Sequence, residues 1–226
     1  LMELIYIRQT ELLLRVLPYI HESGVFALHG GTAINLFHDE MPRLSVDIDL
    51  TYLPIKDRET DLKSIKTNLE EIAKELRRVV PGIQVTNPNH VMGEYKLFCN
   101  LKGVLIKIEV NTINRGVIGD LENRMLCITA QEKFDQFFEM RTVPRNQLYG
   151  GKIKAALDRQ HPRDIFDTMR LLDKGTIDEE IIKMNTGDCL MFNGSKLMHG
   201  VNKIKSGIRY SLNIWTKEIH IPKHML

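Results

Sequence analysis

Two aspartates separated by one residue are the most informative polar side chains in this sequence. Asp47 and Asp49 alternate with the apolar residues Val46, Ile48 and Leu50. Because alternate residues of a β-strand point to the same face of a sheet, the pattern predicts two neighbouring carboxylates on one face and apolar side chains on the other. Adjacent carboxylates repel one another unless a cation neutralises them. Mg²⁺, held by carboxylates together with substrate phosphates, is the usual cation in such a site.

A pair of glycines lies shortly before the aspartates. Gly30 and Gly31 follow an apolar strand predicted at residues 26–28 and precede a short helix predicted at residues 32–37. Because glycine has no side chain, a phosphate can approach the backbone closely here, and a helix N-terminus favours an anion. Thr32 can cap the helix or contact a phosphate. The segment therefore predicts a phosphate-binding turn followed by a metal-binding pair, as needed to hold a nucleoside triphosphate.

The order of these features resembles the signature of the nucleotidyltransferase superfamily. More narrowly, the segment Arg43-Leu44-Ser45-Val46-Asp47-Ile48-Asp49 resembles the AbiEii-type nucleotidyltransferase toxins of bacterial toxin–antitoxin and abortive-infection systems. An isolated Gly-Gly is usually a simple turn and an isolated Asp-x-Asp a solvated strand face, but Arg-x-Ser-x-Asp-x-Asp is more specific. The resemblance implies Mg²⁺ as cofactor, with two ions possible, a nucleoside triphosphate as substrate, and Ser45 in the nucleotide site.

A third carboxylate is predicted on another strand. Residues 103–111 alternate in the manner of a β-strand, and Glu109 lies late in it. The segment Lys-Ile-Glu-Val-Asn resembles the family strand whose carboxylate completes the metal site with the aspartate pair. The alternative is that Glu109 simply pairs with Lys107 or Arg115 on a sheet edge.

Residues 151–167 also resemble the AbiEii-type toxins. The resemblance implies that Lys152 neutralises triphosphate charge left uncovered by metal ions. It implies that Asp164 orients Lys152 or acts as a base toward the attacking hydroxyl. The residues alone have simpler interpretations, since an acid in the first turn of a helix favours the dipole and Arg163 and Asp167 have the spacing of an ion pair on one helix.

The family resemblance, taken with the predicted helices and strands, implies an α+β fold, a nucleotidyltransferase-like mixed β-sheet flanked by helices, followed by a helical segment and a short β-rich tail. The remaining predicted elements are helices at 1–22, 61–79 and 145–159, a helix beginning at Pro162, and strands at 83–87, 94–99 and 125–128. Thr129 and Glu132 have the spacing of a capping box, and its helix is predicted to direct Phe134, Phe137 and Phe138 inward. The predicted domains are 1–128, the transferase core, 129–183, its helical part, and 184–226, the tail.

The tail has a second resemblance. Residues 184–226 resemble the C-terminal strands of 2-oxoglutarate/Fe(II) dioxygenases, in which His199 would match an iron ligand and Arg209 the arginine that pairs with 2-oxoglutarate. A facial triad needs two histidines and a carboxylate, and the single His-x-Glu of the chain, at residues 38–40, lies inside the transferase motif. We therefore predict a detached fragment that binds no iron.

The amino-acid composition is that of an ordinary globular protein, and the cysteine content predicts a reducing compartment. Among 226 residues with a net charge of +2 there are three scattered cysteines, which argues against a disulfide framework and favours the cytoplasm. The sequence has no apolar run of membrane-spanning length, so no membrane association is expected. Residues 141–174 contain eight bases and four acids, which is compatible with contacts to phosphates or with a solvated helix face.

The family resemblance implies partners as well as chemistry. The expected acceptor is RNA, particularly a tRNA 3′ end, and a cognate antitoxin is expected. Two other functions stay open at this point. One is a non-catalytic nucleotide- or RNA-binding remnant, and the other, less favoured, is an Fe(II)/2-oxoglutarate oxygenase.

Overall fold

The computed structural model describes residues 2–87, 95–159 and 161–173, so the predicted tail with His199 and Arg209 lies outside the described residues. In chain order the elements are α1 (Met2–Glu22), β1 (Phe26–His29), α2 (Gly30–Ala33), a π-helical turn (Ile34–His38), β2 (Asp47–Tyr52), α3 (Arg58–Val79), β3 (Gln84–Thr86), β4 (Lys96–Leu101), β5 (Val104–Asn111), β6 (Glu122–Met125), α4 (Ile128–Phe134), β7 (Glu139–Thr142), α5 (Arg145–Arg159) and α6 (Pro162–Asp173).

The strands of the described residues form one mixed sheet in the order β3-β4-β5-β2-β1-β7-β6. The pairs β2–β5 and β1–β7 are parallel. The pairs β1–β2, β3–β4, β4–β5 and β6–β7 are antiparallel. The mixed α+β fold predicted from the sequence is confirmed. The aspartate strand β2 lies at the centre of this sheet, where both neighbours fix its register.

One face of the central strands is a continuous apolar surface. Ile48 is paired in register with Ile108, and Ile108 with Leu97; all three are completely buried. Helices α1 and α3 contact each other, and they also contact strands of the sheet, α1 at β1, β5 and β7 and α3 at β3 and β4. Full burial of each such side chain stabilises the fold by about 1.5–3 kcal/mol. This burial fixes β2 so that its odd-numbered residues point to the opposite face.

The helix and strand boundaries follow local signals in some places and depart from them in others. Helix α3 begins at Arg58 because the Asp57 side chain accepts a hydrogen bond from the Thr60 N–H at 2.9 Å. The capping-box prediction is wrong. Cys127 occupies the N-cap of α4, and Thr129 instead donates to Glu40 through its N–H at 3.2 Å and its hydroxyl at 3.1 Å.

The region after α4 also differs from the prediction. The helix ends at Phe134 because Asp135 adopts a left-handed conformation with φ of 50°. Phe137 therefore lies outside the helix and is 74% exposed, whereas Phe138 packs edge-on against Phe37 at 6.0 Å. The four-residue strand β7 was not predicted, and β6 ends where the sequence predicted a strand to begin, at Met125.

The described residues fall into two compact units, one ending at Lys152 and the other beginning at Ile153. The predicted domain boundaries at residues 128 and 183 stay predictions. In the second unit, Arg159 Nε donates to the buried Asp164 carboxylate at 2.6 Å, and Asp167 is also buried.

The described part of the chain contains two of the three cysteines. Cys99 and Cys127 are buried free thiols, and burial raises the pKa of Cys99 to about 12. None of the helices in the described ranges combines the length and apolar character that a membrane crossing requires.

Candidate active site

Neighbouring strands bring charged side chains together on the face opposite the apolar surface. Across the sheet, His29 is paired in register with Asp49, Asp49 with Glu109, and Glu109 with Lys96. Asp47 is paired with Lys107 in the adjacent row. Because residues paired in register point to the same side, four strands contribute to one polar surface. The prediction that Asp47 and Asp49 share a face agrees with this register.

The aspartate pair is electrostatically unfavourable without a cation. Burial, followed by the negative charge of Asp47, raises the pKa of Asp49 from 3.8 to about 6. Glu109 adds to this increase, whereas the positive charges of Lys107 and Lys152 oppose it. A carboxylate held in this way gains strongly from a nearby cation.

The raised pKa of Asp49 predicts a pH-dependent stability in metal-free protein. Between about pH 4 and 6 the native state keeps the Asp49 proton that the unfolded chain has released, so stability falls as pH rises through this range. The loss amounts to at most about 3 kcal/mol. Urea unfolding in EDTA at pH 4 and pH 7 should show this loss in wild type and a smaller pH dependence in Asp49→Asn. Equal pH dependence in the two proteins would contradict it.

The third predicted carboxylate has two lysine partners. Glu109 accepts a hydrogen bond from Lys107 Nζ at 2.8 Å and pairs with Lys96 Nζ at 3.3 Å. Burial acts to raise the pKa of Glu109, but the hydrogen bond and charge of Lys107, followed by those of Lys96, lower it below its usual value. The structure thus contains the ion pair between Glu109 and Lys107 that the sequence offered as an alternative to metal binding. Arg115, the other partner considered for Glu109, instead pairs with the buried Asp61. Metal binding by Glu109 stays a prediction.

The glycine turn is shaped by the residues it faces. Helix α2 begins at Gly30, two residues earlier than predicted, and Gly30 has a φ of +73°. A Cβ at Gly30 would collide with the Asp49 carboxylate and lie 3.1 Å from Asp49 Cβ. A Cβ at Gly31 would lie 2.7 Å from Arg43 Nη2. The turn therefore requires glycine so that it can lie directly against the aspartate. A phosphate contact at this turn stays a prediction.

Gly30→Ala should destabilise the fold by about 2–4 kcal/mol, because it combines a left-handed backbone with a steric clash against Asp49. Gly24→Ala is the matched control. Gly24 has a φ of +72°, and a Cβ added there would have nothing within 4 Å, so this variant carries the backbone cost alone, about 1–2 kcal/mol. Urea unfolding compares the two variants. Equal losses would show that Asp49 does not restrict Gly30.

A buried hydroxyl network fastens the glycine turn to β2. The Thr32 hydroxyl donates to the Asp47 carbonyl oxygen at 2.5 Å and lies 2.8 Å from the Ser45 hydroxyl. Thr32 is completely buried and Ser45 nearly so. Asn35 Nδ2 also donates to the Gly31 carbonyl oxygen at 2.7 Å. These contacts hold the turn against the start of β2. Direct contacts of Thr32 and Ser45 with a nucleotide stay predictions.

Lys152 belongs to the same surface. It is 8% exposed, and its charge acts on both Asp49 and His29. Burial, and then the Lys152 charge, lowers the pKa of His29 to about 4, so this imidazole is neutral at physiological pH. A Cβ on Gly151 would lie 3.3 Å from His29 Nε2. No role was predicted for His29 from the sequence, although its position next to Gly30 was the available signal.

The chemistry of this surface fits a divalent cation. Positive charge compensates the partly buried aspartate pair only in part, since the pKa of Asp49 stays raised, and a third carboxylate lies in register with Asp49. Hard oxygen ligands of this kind suit Mg²⁺. Within the described ranges, no three His, Cys, Asp or Glu side chains are already placed to hold an ion together. Glu109 is instead engaged by its lysines.

A solved structure identifies the class of this fold. The chain is similar to MenT4, a nucleotidyltransferase toxin from Mycobacterium tuberculosis H37Rv, with a TM-score of 0.56 and 15% sequence identity. The match covers 79% of this chain and 61% of the MenT4 chain, so the chain spans less than two thirds of that protein. At this identity the likeness establishes the fold, which is that of a nucleotidyltransferase toxin.

The sequence identifies the particular family. Residues 11–190 match the family described as nucleotidyl transferase AbiEii toxin, of type IV toxin–antitoxin systems. Because the match covers most of the chain, the protein belongs to the AbiEii nucleotidyltransferase toxin family. The predicted resemblance over residues 1–183 is confirmed, and the match ends at residue 190, inside the segment predicted to be a separate tail. No curated protein matches this sequence significantly.

Proposed function

We propose that this protein transfers a nucleotidyl group from a nucleoside triphosphate to a hydroxyl acceptor, as the toxin of a toxin–antitoxin system. The observation that supports this most strongly is the arrangement of Asp47 and Asp49 against the side-chain-free turn at Gly30. This arrangement lies within the segment that matches the AbiEii family.

The carboxylates hold the cofactor in this proposal. Asp47 and Asp49, joined by Glu109, would hold one or two Mg²⁺ ions. When bound, the cation neutralises charge on the phosphates and on the leaving group. The raised pKa of Asp49 supports this assignment, because a buried anion beside Asp47 is stabilised by a cation at neutral pH.

The other residues of the surface bind and orient the nucleotide. The backbone of Gly30 and Gly31 receives the outer phosphates, with Thr32 and Ser45 at the edge of the nucleotide site, and Lys152 supplies a buried positive charge beside Asp49. The acceptor hydroxyl attacks the α-phosphate in line, and pyrophosphate leaves. Asp164 orients Lys152 or takes the proton of the acceptor hydroxyl.

RNA, and in particular a tRNA 3′ end, is the proposed acceptor, and a cognate antitoxin is the proposed protein partner. The AbiEii family description, a type IV toxin–antitoxin system, supports the second of these. The excess of bases over acids between residues 141 and 174 is compatible with the first.

The proposal is tested by incubating the full chain with each labelled nucleoside triphosphate, Mg²⁺ and total RNA. Label should appear in RNA with wild type and be absent with Asp47→Asn. Asp57→Asn is the matched control, because this aspartate caps α3 and an asparagine caps a helix equally well. Absence of transfer by wild type with all four nucleotides, or equal transfer by Asp47→Asn, would overturn the proposal.

A non-catalytic nucleotide-binding protein is the second candidate. The lysine pairing of Glu109 favours it, because the third carboxylate is occupied in this structure. Equilibrium binding of labelled nucleotides that is unaccompanied by any transfer would support this candidate.

A further inference from the structure

Lys107 lies on the same face of the sheet as the three carboxylates and contacts one of them. It lies on β5 opposite Asp47 and two residues before Glu109, so its side chain emerges on the same face as all three acids. Its ammonium donates to Glu109 at 2.8 Å. Asp47 and Asp49 are also within electrostatic reach, since both carboxylates favour the charged form of Lys107.

Lys96 contacts Glu109 from the opposite side. It approaches Glu109 from β4, on the side of β5 away from the aspartates, with an Nζ–Oε1 distance of 3.3 Å. Lys107 binds the other oxygen of the same carboxylate. Glu109 is thus held between two lysines, and Lys107 is the one on the side of the aspartate pair.

We propose that Lys107 is the built-in counter-ion of the Asp47–Asp49–Glu109 group, and that a divalent cation binds by displacing the Lys107 ammonium from Glu109. This inference rests on the proposed function and concerns the control of its metal site. Until displacement occurs, the positive charge of Lys107 repels an incoming cation and withholds one oxygen ligand. The protein without nucleotide therefore binds a divalent cation weakly.

A displaceable Lys107 ammonium explains two features of the site together. The three acids share one face, and yet no group of three is placed to hold an ion within the described part of the chain. Glu109 lies at the correct register position but is directed to its lysines. Because Lys107 is one-third exposed, its ammonium can move into solvent without disturbing the apolar face of β5.

The test is a titration of the full chain with Mn²⁺ alone, followed by the electron paramagnetic resonance signal of unbound Mn²⁺. Lys107→Met removes the charge and keeps most of the side-chain length. The Lys107→Met variant should bind Mn²⁺ with about tenfold higher affinity than wild type, because the competing Lys107 ammonium has been removed from the site. Lys107→Arg retains the charge and should bind like wild type.

Two further variants locate the effect. Asp47→Asn combined with Lys107→Met should abolish the added affinity, which places the bound Mn²⁺ at the aspartates. Lys96→Met should give a smaller increase than Lys107→Met, because Lys96 contacts Glu109 from the far side. If Lys107→Met does not fold by circular dichroism, Lys107→Gln replaces it in the same comparison.

Equal or weaker Mn²⁺ binding by the charge-removing variant would overturn the counter-ion role, as would equal gains in Lys107→Met and Lys107→Arg. If the charge-removing variant binds no Mn²⁺ and wild type still transfers nucleotides, the counter-ion role alone fails. If wild type also shows no Mg²⁺-dependent transfer, the proposed function fails with it.

Discussion

Replacing Asp47 or Asp49 with asparagine is expected to reduce nucleotidyl transfer by about a thousandfold or more. Each change keeps the shape of the side chain but removes a charge that the proposed cation requires. Both residues lie at the centre of the sheet with their neighbours fixed by register. The loss should therefore come from the missing charge rather than from a displaced strand.

The measurement is the initial rate of label transfer to RNA at saturating Mg²⁺, with the melting temperature recorded for each variant. Asp49→Asn should be at least as stable as wild type at pH 7, because it removes a carboxylate whose pKa is raised by burial and by Asp47. Asp57→Asn, on the exposed end of α3, should keep the wild-type rate. Near-normal transfer by both site variants would exclude the aspartate pair from catalysis.

Replacing Lys152 with methionine is expected to lower transfer by about a hundredfold to a thousandfold. The lysine is 8% exposed and its charge acts on Asp49, so the ammonium lies in an environment where solvent screens it poorly. Methionine fills most of the same volume without the charge. The loss should appear mainly in the maximal rate if Lys152 stabilises charge that develops during transfer.

Lys154→Met is the matched control for this prediction. Lys154 lies two residues further along α5 and is more exposed than Lys152, so the same chemical change is made on the same helix. Rates and Michaelis constants for the nucleotide separate the two lysines. Equal small losses in both variants would show that Lys152 contributes general positive charge and has no specific role.

The fold class followed from the family resemblance, and the positions of the aspartate strand and the glycine turn followed from local sequence signals. Period-two alternation from Val46 to Leu50 placed the two aspartates on one face, because the geometry of an extended strand leaves no other arrangement. Two helices were also predicted from local signals, α6 from Pro162 at its first position and α3 from its apolar periodicity. A prediction from a local signal failed where a distant residue offered another hydrogen-bond partner. Thr129 has the spacing of a capping residue, but its hydroxyl and N–H donate to the side chain of Glu40.

Which residues meet in the candidate site could be determined only from the tertiary structure. Asp49 and Glu109 lie far apart in the sequence, and their adjacency depends on parallel pairing of β2 with β5, which no local pattern specifies. The lysines on Glu109, the neutral His29 and the requirement for glycine beside Asp49 depend on the same register. The sequence by itself therefore determined which residues are the candidates for the chemistry and on which face of their own strands they lie. The packing of the whole sheet decided which of them meet, since register is set by the burial of the opposite, apolar face.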